Sequence, residues 1–371
     1  MIKIKEVKSK SDLRIFIHLP VKIHSNYPNF LPPLLIDDWK FFNPAKNRSF
    51  DSCDTVLVLA YKNEKPAGRI MGIIHRKYNE LHGERNGRFG YFECYDDQET
   101  AHALISFIEN WAKEKGVSKL VGPYGFSDKD PQGLLIEGYE HPPILAAASN
   151  PPYIVKLIEK EGYTKEVDCV DYMYPLPESL PDYYYKISQR FQEREQYQVI
   201  EFTKRNQLKP YVIPILRMMN EAYSHIYGFV PLTEKEMLDF AARYMSLLDP
   251  RFVKTIVKDG EIMAFIIGLP SLAKGIQRAK GKLFPFGIFK IIHESKKTRQ
   301  VDLMLGAVKP QYQGLGLDVS MGIKLFESVK KAGFIQIEVH LILETNHKML
   351  AEMEKIGAKM HKRFRVFQKV I

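Results

Sequence analysis

The sequence predicts an α+β (mixed α/β) protein of two tandem domains, each a mixed central sheet flanked by helices. A chain of 371 residues is long for a single hydrophobic core. Short apolar runs bounded by turn residues alternate with helix-periodic segments along the whole chain. The order of these segments in residues 1–175 recurs in residues 197–371. We therefore predict domains at 1–175 and 197–371, joined by a linker at 176–196 that begins Pro-rich and becomes highly charged.

The first half begins with a strand at Ile2–Val7, a helix from about Asp12 and a Pro- and Asn-rich loop at Asn26–Arg48. Asp97 and Gly116 are the expected start and stop signals of an amphipathic helix between them. The other predicted strands and helices of this half are Thr55–Tyr61, Gly68–His75, Arg88–Cys94, Gln98–Lys115, Lys119–Gly122, Tyr153–Glu161 and Cys169–Tyr174.

The second half repeats this order and adds a basic insertion at Ser271–Gln300 between two of its strands. Gly333 directly follows the helix that comes after the insertion, as expected of a helix stop signal. The predicted elements are Gln198–Thr203, Leu208–Tyr227, Glu234–Leu248, Phe252–Val257, Glu261–Leu269, Val301–Val308, Leu317–Ala332, Ile335–Ile342, His347–Ile356 and His361–Lys369.

The composition is that of a soluble globular protein, with 45% hydrophobic and 26% charged residues. No apolar stretch has the length of a membrane span, and Met1–Val7 lacks the apolar core of a secretory signal. The three cysteines form no CxxC pair and the histidines are scattered, which predicts a cytoplasmic protein without a metal site. The net charge of +10 fits an anionic ligand, an acidic partner or nucleic acid.

The strongest local signal is a glycine loop, Lys309-Pro-Gln-Tyr-Gln-Gly-Leu-Gly-Leu317, between an apolar strand and an amphipathic helix. Glycines at 314 and 316 let successive backbone N–H groups point one way with no side chain in front of them. The helix that follows adds its free N–H groups and the positive end of its dipole. The loop therefore predicts a pyrophosphate site, and the spacing alone is explained equally by a glycine turn that only leads into a helix. It differs from a Walker A loop, and Val319 stands where GxGxxG needs its third glycine.

This loop resembles the (Gln/Arg)-x-x-Gly-x-(Gly/Ala) signature of the GNAT acetyltransferases. A second segment, Asn346 to Ala358, resembles the Asn-x-x-Ala-x-x-x-Tyr-x-x-x-Gly-Phe segment of that family, and an Arg- and Phe-containing strand follows it. The resemblance covers about Tyr197–Ile371. The whole chain also resembles a bacterial two-domain, tandem GNAT-like family, through segments such as Gly122–Ser127, Gly133–Tyr139 and Asn150–Tyr153.

The resemblance implies an acyltransferase that binds acetyl-CoA, or another acyl-CoA, as co-substrate. The strand Val301–Val308 and the next strand would splay apart to admit pantetheine, and a backbone N–H there would stabilise the oxyanion. The residues implied to contact coenzyme A are Gly306, Ala307, Val308, Gln311, Tyr312, Gln313, Gly314, Leu315, Gly316, Leu317 and Asn346.

The catalytic groups are less well defined by the sequence. An amine acceptor must lose a proton, and Asp302, Glu338 and Glu221 are the candidate bases, although each is also explained as a solvated or salt-bridged acid. Where the family uses a tyrosine as general acid for the leaving thiolate, this chain has Met353. Tyr312 and Tyr227 are alternative acids, although a packing role is the simpler interpretation of each.

The first half lacks the glycine loop. Residues 95–99, Tyr-Asp-Asp-Gln-Glu, stand at the corresponding place and would repel a pyrophosphate. We therefore predict a degenerate GNAT-like domain that supports the second half or forms part of the acceptor pocket.

The basic insertion has eight basic residues from Lys274 to Arg299 against one acid, Glu294, around the apolar run Leu283–Ile292. Its simplest interpretation is a solvated excursion whose apolar run packs on the domain. The alternatives are a lid, or a contact for an acidic or membrane-surface partner. Nucleic acid is disfavoured because no binding motif accompanies the charge.

Three functions remain open at this point. The first is an N-acyltransferase, which the resemblance implies to be an N-acetyltransferase, acting on a small-molecule or peptide amine and transferring acyl groups other than aminoacyl. The second is a non-catalytic CoA-binding sensor or scaffold, and the third is an aminoacyl-tRNA-dependent transferase of tandem GNAT type. Coenzyme A binding with turnover supports the first function, and binding without turnover supports the second. RNA binding without coenzyme A binding supports the third.

Overall fold

The computed structural model describes residues 1–145, 147–193 and 196–371. These residues form one mixed sheet of thirteen strands. In the first half the strands are β1 (Ile2–Glu6), β2 (Cys53–Lys62), β3 (Lys65–His75), β4 (Asn86–Cys94), β5 (Lys119–Gly122), β6 (Leu134–Glu137) and β7 (Thr164–Pro175). Its helices are α1 (Lys10–Ile23), α2 (Leu35–Phe41), α3 (Arg76–His82), α4 (Gln98–Glu114) and α5 (Pro152–Lys160). Apolar side chains of β2 and β3 pack on α4 from one face and on α1 from the other.

Elements of the second half follow the same plan after α6 (Asp182–Gln192), which lies inside the predicted linker. Its strands are β8 (Gln198–Glu201), β9 (Val253–Lys258), β10 (Glu261–Pro270), β11 (Gln300–Val308), β12 (Gln336–Leu343) and β13 (Lys359–Val370). Its helices are α7 (Val212–Ala222), α8 (Glu234–Tyr244), α9 (Ala273–Ala279), α10 (Gly287–Ser295), α11 (Leu317–Lys331) and α12 (His347–Lys355).

The two halves exchange their last strands. The strand order is β1-β2-β3-β4-β5-β13-β7-β12-β11-β10-β9-β8, with β6 attached to β13. Thus β13, the end of the second half, pairs with β5 of the first half, and β7, the end of the first half, pairs with β12 of the second. β7 and β13 also pair with each other along most of their length, so the two sheets are continuous.

The exchange mixes the two hydrophobic cores. Phe367 of β13 lies in the core that β2, β3, β4 and α4 build in the first half. In the other direction, Val170, Tyr172 and Tyr174 of β7 pack with α11, β11 and β12 in the second half.

We expect Phe367→Ala to destabilise the first half even though the residue lies near the end of the chain. The side chain is 1% exposed, and a buried Phe→Ala change typically costs about 3–5 kcal/mol of unfolding free energy. The protein's two tryptophans, Trp39 and Trp111, both pack in first-half cores, so fluorescence during denaturation reports on that half. Val370→Ala, on the same strand and 79% exposed, is the control and should change little. An unchanged fluorescence midpoint in Phe367→Ala would contradict the exchange.

Every strand and helix that the sequence predicts is present, with ends shifted by a few residues. The predicted loop 26–48 also contains α2, and the long connection after β5 contains β6. The predicted linker 176–196 contains α6, while Arg194 and Glu195 lie outside the described residues. The domain boundaries at 175 and 197 stay a prediction, because strand exchange joins the two halves on both sides of them.

Candidate functional site

The two parallel strands in the centre of the second half separate to form a fork. β11 and β12 pair only from Gln300 with Gln336 to Leu303 with Val339. Beyond this point β11 continues to Val308 beside β10, whereas β12 continues to Leu343 beside β7. A β-bulge at residues 303–305 of β11 and the positive φ of Leu341 (54°) in β12 lie where the strands part.

Backbone N–H groups of β11 face into this fork. The N–H of Lys309 donates to the carbonyl of Met263 in β10, at 2.9 Å. Since successive N–H groups of a strand point in opposite directions, those of Val308 and Gly306 point away from β10 and toward the fork. The hydroxyl of Tyr223 lies there, donating to the Gly306 carbonyl at 2.9 Å and accepting from the Gly306 N–H at 3.3 Å.

The glycine loop at residues 313–316 follows directly and leads into α11. Gly314 and Gly316 both have positive φ, 76° and 88°, where an L-residue would be strained. The N–H groups of Gly314, Leu315 and Gly316 donate no hydrogen bond to any other described residue. The first turn of α11 adds its own unpaired N–H groups, and no side chain caps this end of the helix. Residues 313–315 are exposed, so the loop presents these donors to solvent and fits an anion such as pyrophosphate.

A buried polar cluster lies one rung below the fork. Asp302 of β11 and Glu338 of β12 are register partners and each is at most 2% exposed. The Gln300 amide links the two carboxylates, donating to Asp302 at 2.8 Å and to Glu338 at 2.5 Å. Two acidic groups held this close in the protein interior cannot both ionise easily.

The cluster extends into the two exchanged strands. Lys362 of β13 donates to Glu338 at 2.5 Å, and His361 Nε2 lies 3.1 Å from the same carboxylate oxygen. Asp171 of β7 is completely buried; one of its oxygens accepts from the Leu341 N–H at 2.7 Å and the other has no partner. Asp171, Glu338 and His361 offer potential metal-ligand atoms within 4.8 Å of one another. The ammonium of Lys362 already lies against Glu338 as its cation. A metal ion bound by the same carboxylate would be repelled by this ammonium.

The charges of the cluster are unequal. Burial, helped by the nearby Glu338 charge, raises the pKa of Asp302 to about 7. Burial and the Glu338 charge likewise hold the pKa of Asp171 well above its usual range. Burial also acts to raise the pKa of Glu338, but the nearby His361 ring and the hydrogen-bonded ammonium of Lys362 outweigh it, and the pKa is lowered. At neutral pH, Glu338 is therefore the charged acid and Asp302 is balanced between the two forms, while burial favours the protonated form of Asp171.

Comparison with known proteins finds two relatives that align with nearly the whole chain. No protein-family model matches the chain. "Protein YghO" from Escherichia coli is 29% identical over 372 residues, covering 98% of this chain and 94% of that protein. "Bacterial ceramide synthase" from Caulobacter vibrioides is 28% identical over 376 residues, covering 98% of this chain and 96% of that protein.

Solved structures establish the fold. A tandem GNAT protein from the clavulanic acid biosynthesis pathway superposes with a TM-score of 0.56 at 11% identity, covering 100% of this chain and 98% of its own. The chain has a tandem GNAT fold. A GCN5-related N-acetyltransferase from Sphaerobacter thermophilus agrees, with a TM-score of 0.53 at 12% identity and coverage of 100% and 95%. The agreement in fold covers the whole chain, including β11, β12 and residues 313–316.

The predicted coenzyme A residues, apart from Tyr312, fall into four groups. Gly306, Ala307 and Val308 form the β11 side of the fork, and Gln311, Gln313, Gly314 and Leu315 form the exposed loop. Gly316 and Leu317 are buried at the start of α11, where a Cβ on Gly316 would lie 3.0 Å from Ile187 of α6. The Asn346 side chain accepts from the Met349 N–H at 3.2 Å and begins α12.

The structure brings together two of the four predicted catalytic residues. Asp302 and Glu338 are neighbours, whereas Glu221 is exposed on α7 and makes no side-chain hydrogen bond or ion pair with any described residue of the cluster. Tyr312 packs against Tyr197, with the ring centres 6.3 Å apart, in a hydrophobic cluster that includes Phe191 and Met321. Met353 is 5% exposed in the hydrophobic core, so it contributes no group to the fork.

Sequence reasoning missed Tyr223, Asp171, His340 and Lys362. His340 follows the last paired rung of β12; its Nδ1 has no partner, and burial lowers its pKa to about 4. Lys362 and Asp171 reach the cluster only through the exchange of β13 and β7, so no pattern in the second half alone could have indicated them. Tyr223 ends α7 with ordinary helical spacing, and only its contact with Gly306 distinguishes it.

The fork of the first half is filled by its own chain. β4 and β5 pair only from Asn86 with Lys119 to Arg88 with Val121, which repeats the pattern of β11 and β12. Beyond the last of these pairs, the turn after β5 lies beside β4, where the Tyr124 N–H donates to the Phe89 carbonyl at 2.8 Å. A Cβ on Gly90 would lie 2.6 Å from the Tyr124 carbonyl, so this fork has no room for a pantetheine chain.

We expect Lys362→Met to destabilise the protein strongly. It removes the ammonium from Glu338, and breaking a buried ion pair by removing one partner costs about 3–5 kcal/mol of unfolding free energy. The double variant with Glu338→Gln should recover much of this loss, because no buried charge is left unpaired. Urea denaturation of the two single variants and the double variant measures the coupling, and additive losses would show that the pair is not coupled.

Proposed function

We propose that this protein is an acyl-CoA-dependent N-acyltransferase whose acceptor is the amine of a long-chain amino alcohol. The observation that carries the acyl-CoA part is the separation of β11 and β12 next to the exposed glycine loop at the start of α11. The acceptor class follows from similarity to a protein named ceramide synthase, because a ceramide is an N-acylated long-chain amino alcohol. The two buried carboxylates beneath the fork are consistent with a reaction that removes a proton from an amine.

In this proposal the glycine loop binds the pyrophosphate of acyl-CoA. The N–H groups of Gly314, Leu315 and Gly316, together with the first turn of α11, supply the donors. The Val308 N–H, which faces the fork, is the preorganised donor for the carbonyl oxygen of the thioester as it gains negative charge. Tyr223 already engages Gly306, so Val308 is the better candidate for this role.

Asp302 is the proposed general base. A base works best when its pKa lies near the working pH, and burial raises the pKa of Asp302 to about 7. Glu338, neutralised by Lys362, fixes the Gln300 amide that also holds Asp302. This arrangement gives the two predicted acids different roles. Asp302 accepts the proton from the amine, and Glu338 positions Asp302 through the shared Gln300 amide.

Tyr223 is the proposed proton donor to the departing thiolate, in place of Met353. Its hydroxyl lies in the fork at Gly306, and burial raises its pKa to about 12, so it carries its proton at neutral pH. Tyr312 remains an alternative from the sequence, but its ring packs on Tyr197 instead of facing the fork.

The first half is proposed to form a wall of the acceptor site. Its turn after β5 is joined to the segment that follows α7 through Tyr124, whose hydroxyl donates to the Tyr227 carbonyl at 3.2 Å. Lys129 likewise donates to the Val230 carbonyl at 2.8 Å. Both contacts hold the segment that begins with Tyr223. We place the reaction in the cytoplasm, where the three buried, free cysteines would stay reduced.

A second candidate is a protein that binds coenzyme A without turnover. The observation that favours it is Met353, which is buried in the core at the position where the GNAT resemblance implies a tyrosine. Turnover decides between the two candidates.

The test uses the full chain with palmitoyl-CoA and acetyl-CoA. Calorimetric titration measures binding, and thiol release with sphinganine as acceptor, with the N-acylated product identified by mass spectrometry, measures turnover. Release that depends on the amine supports the proposal. Binding without amine-dependent release would assign the second candidate, and absence of binding to either thioester would contradict both.

A further inference from the structure

The basic insertion carries an outward-facing apolar surface, here called the aromatic face. It consists of Phe284, Phe286, Ile288, Phe289 and Ile292, which are 72%, 69%, 40%, 66% and 45% exposed. The inward side of α10, formed by Gly287, Ile291 and Glu294, is buried. Apolar side chains thus lie on both the inward and the outward side of this segment. Packing against the protein explains those on the inward side, but it does not explain those that face solvent.

The aromatic face is held in place by a packed helical pair. α9 and α10 approach so closely that a Cβ on Gly275 would lie 2.7 Å from the Ile291 Cα. Beneath them, Ile276 and Ile291 share a hydrophobic cluster with Leu31 and Leu34 of the first half. The predicted packing of the apolar run therefore holds for Leu283 and Ile291, while the other large side chains of the run face outward.

Positive charge surrounds this face. Glu294 is buried and takes up the charge of Arg278 in an ion pair, with Lys274 at 3.9 Å. No carboxylate of the described residues lies within ion-pairing distance of the remaining basic residues of the insertion, which are Lys280, Lys282, Lys290, Lys296, Lys297 and Arg299. A helical pair with exposed aromatic side chains and unpaired lysines has the two properties that bind an anionic lipid surface: apolar side chains that enter the interface and cations that attract lipid headgroups.

We propose that α9, α10 and the residues between them dock this protein onto an anionic membrane surface. Among the described residues no helix has the length and apolarity to cross a bilayer, so the contact is peripheral. Association through two copies of this face would bring the same unpaired lysines together, which like-charge repulsion opposes. A bilayer containing acidic lipids matches both the aromatic and the cationic parts of the surface.

The docking surface and the glycine loop lie at opposite ends of β11. The insertion ends at Gln300, where β11 begins, and the loop follows Val308, where it ends. At about 3.3 Å per residue the strand separates them by roughly 25–30 Å. A membrane-bound protein would thus keep its glycine loop open to the aqueous side. The inference rests on the surface alone and holds whether or not the protein transfers acyl groups.

The test is co-sedimentation of the full chain with vesicles of phosphatidylcholine, with or without phosphatidylglycerol. The key variant is Phe286→Ser with Phe289→Ser; both side chains are mostly exposed, so the change leaves the core intact. The matched control is Leu81→Ser with Ile335→Ser, which removes two similarly exposed apolar side chains (63% and 53%) outside the insertion. A charge variant, Lys290→Glu with Lys296→Glu, tests the electrostatic part.

We expect binding to phosphatidylglycerol vesicles that added salt weakens, with about a tenfold or larger loss of partitioning in the Phe variant and in the charge variant. The control variant should bind like the unmodified protein. Absence of binding to the anionic vesicles, or equal loss in the control, would overturn the proposal. So would a dimer in solution that the Phe variant dissociates, since that result would assign the face to a second copy. Titration with acyl-CoA in the absence of vesicles reports on the proposed function separately.

Discussion

Gly314→Asp is expected to abolish acyl-CoA binding while leaving the protein folded. The residue has a φ of 76°, and a Cβ there meets nothing within 4 Å, so the new side chain points into open space. Its carboxylate would stand among the N–H groups proposed to hold the pyrophosphate, where it would block these donors and repel the negative charge of the ligand. We expect affinity to fall by about 100-fold or more, an effect of roughly 3 kcal/mol.

The matched control is Gly333→Asp. Gly333 has a φ of 84°, also has open space around its Cβ position, and stands at the other end of α11. Both variants carry the same backbone strain, about 1 kcal/mol, and the same added charge. Calorimetry should therefore find lost binding only in Gly314→Asp. Comparable binding of acyl-CoA by the two variants would show that the glycine loop is not part of the coenzyme A site.

Asp302→Asn is expected to lower kcat by about 10²- to 10⁴-fold, the usual contribution of a general base. Asparagine keeps an oxygen that can accept from Gln300, so the geometry of the cluster is retained. In the unmodified protein, activity should rise with pH through about 7 as Asp302 loses its proton. This limb should be missing from the residual activity of the variant. Glu221→Gln, a change of an exposed carboxylate on α7, serves as the control and should leave kcat unchanged.

The same variant has a second readout, its stability as a function of pH. Burial raises the pKa of Asp302 from about 4 in the unfolded chain to about 7, so the folded protein holds this proton more tightly. That contribution to stability is fully present below about pH 4 and is lost as the pH rises through about 7. Relative to the unmodified protein, Asp302→Asn should therefore gain about 1.4 kcal/mol for each pH unit across this range. A variant that is less active yet relatively more stable at pH 8 identifies a functional acid, whereas equal pH dependence would show that Asp302 titrates normally.

The sequence allowed the prediction of the tandem GNAT fold and the glycine loop because both depend on local patterns. Gly314 and Gly316 follow an apolar strand and precede an amphipathic helix. The strand, the glycines and the helix can each be recognised in the sequence without knowledge of distant contacts. Asp302 and Glu338 could be named from their strands, yet only the register of β11 with β12 shows that they are neighbours.

Other parts of the site depend on contacts between distant segments. Lys362 and Asp171 lie on exchanged strands, so their meeting with Glu338 depends on a topology that periodicity does not encode. Tyr223 reaches Gly306 across 83 positions of sequence. The outward orientation of Phe286 and Phe289 likewise depends on which side of α10 packs on α9, and the apolar run alone favoured burial.

The exchange of β7 and β13 also sets the order in which the protein can be completed during synthesis. The first half has all of its other strands once residue 175 has left the ribosome, but its sheet still lacks the neighbour of β5 until residues 359–370 emerge. At about 5–20 residues per second, the intervening translation takes on the order of 10–40 s. During this interval the edge of β5 and the core position of Phe367 stand open. The amino-terminal half of this chain therefore finishes folding together with the carboxyl-terminal half, after the last strand has been made.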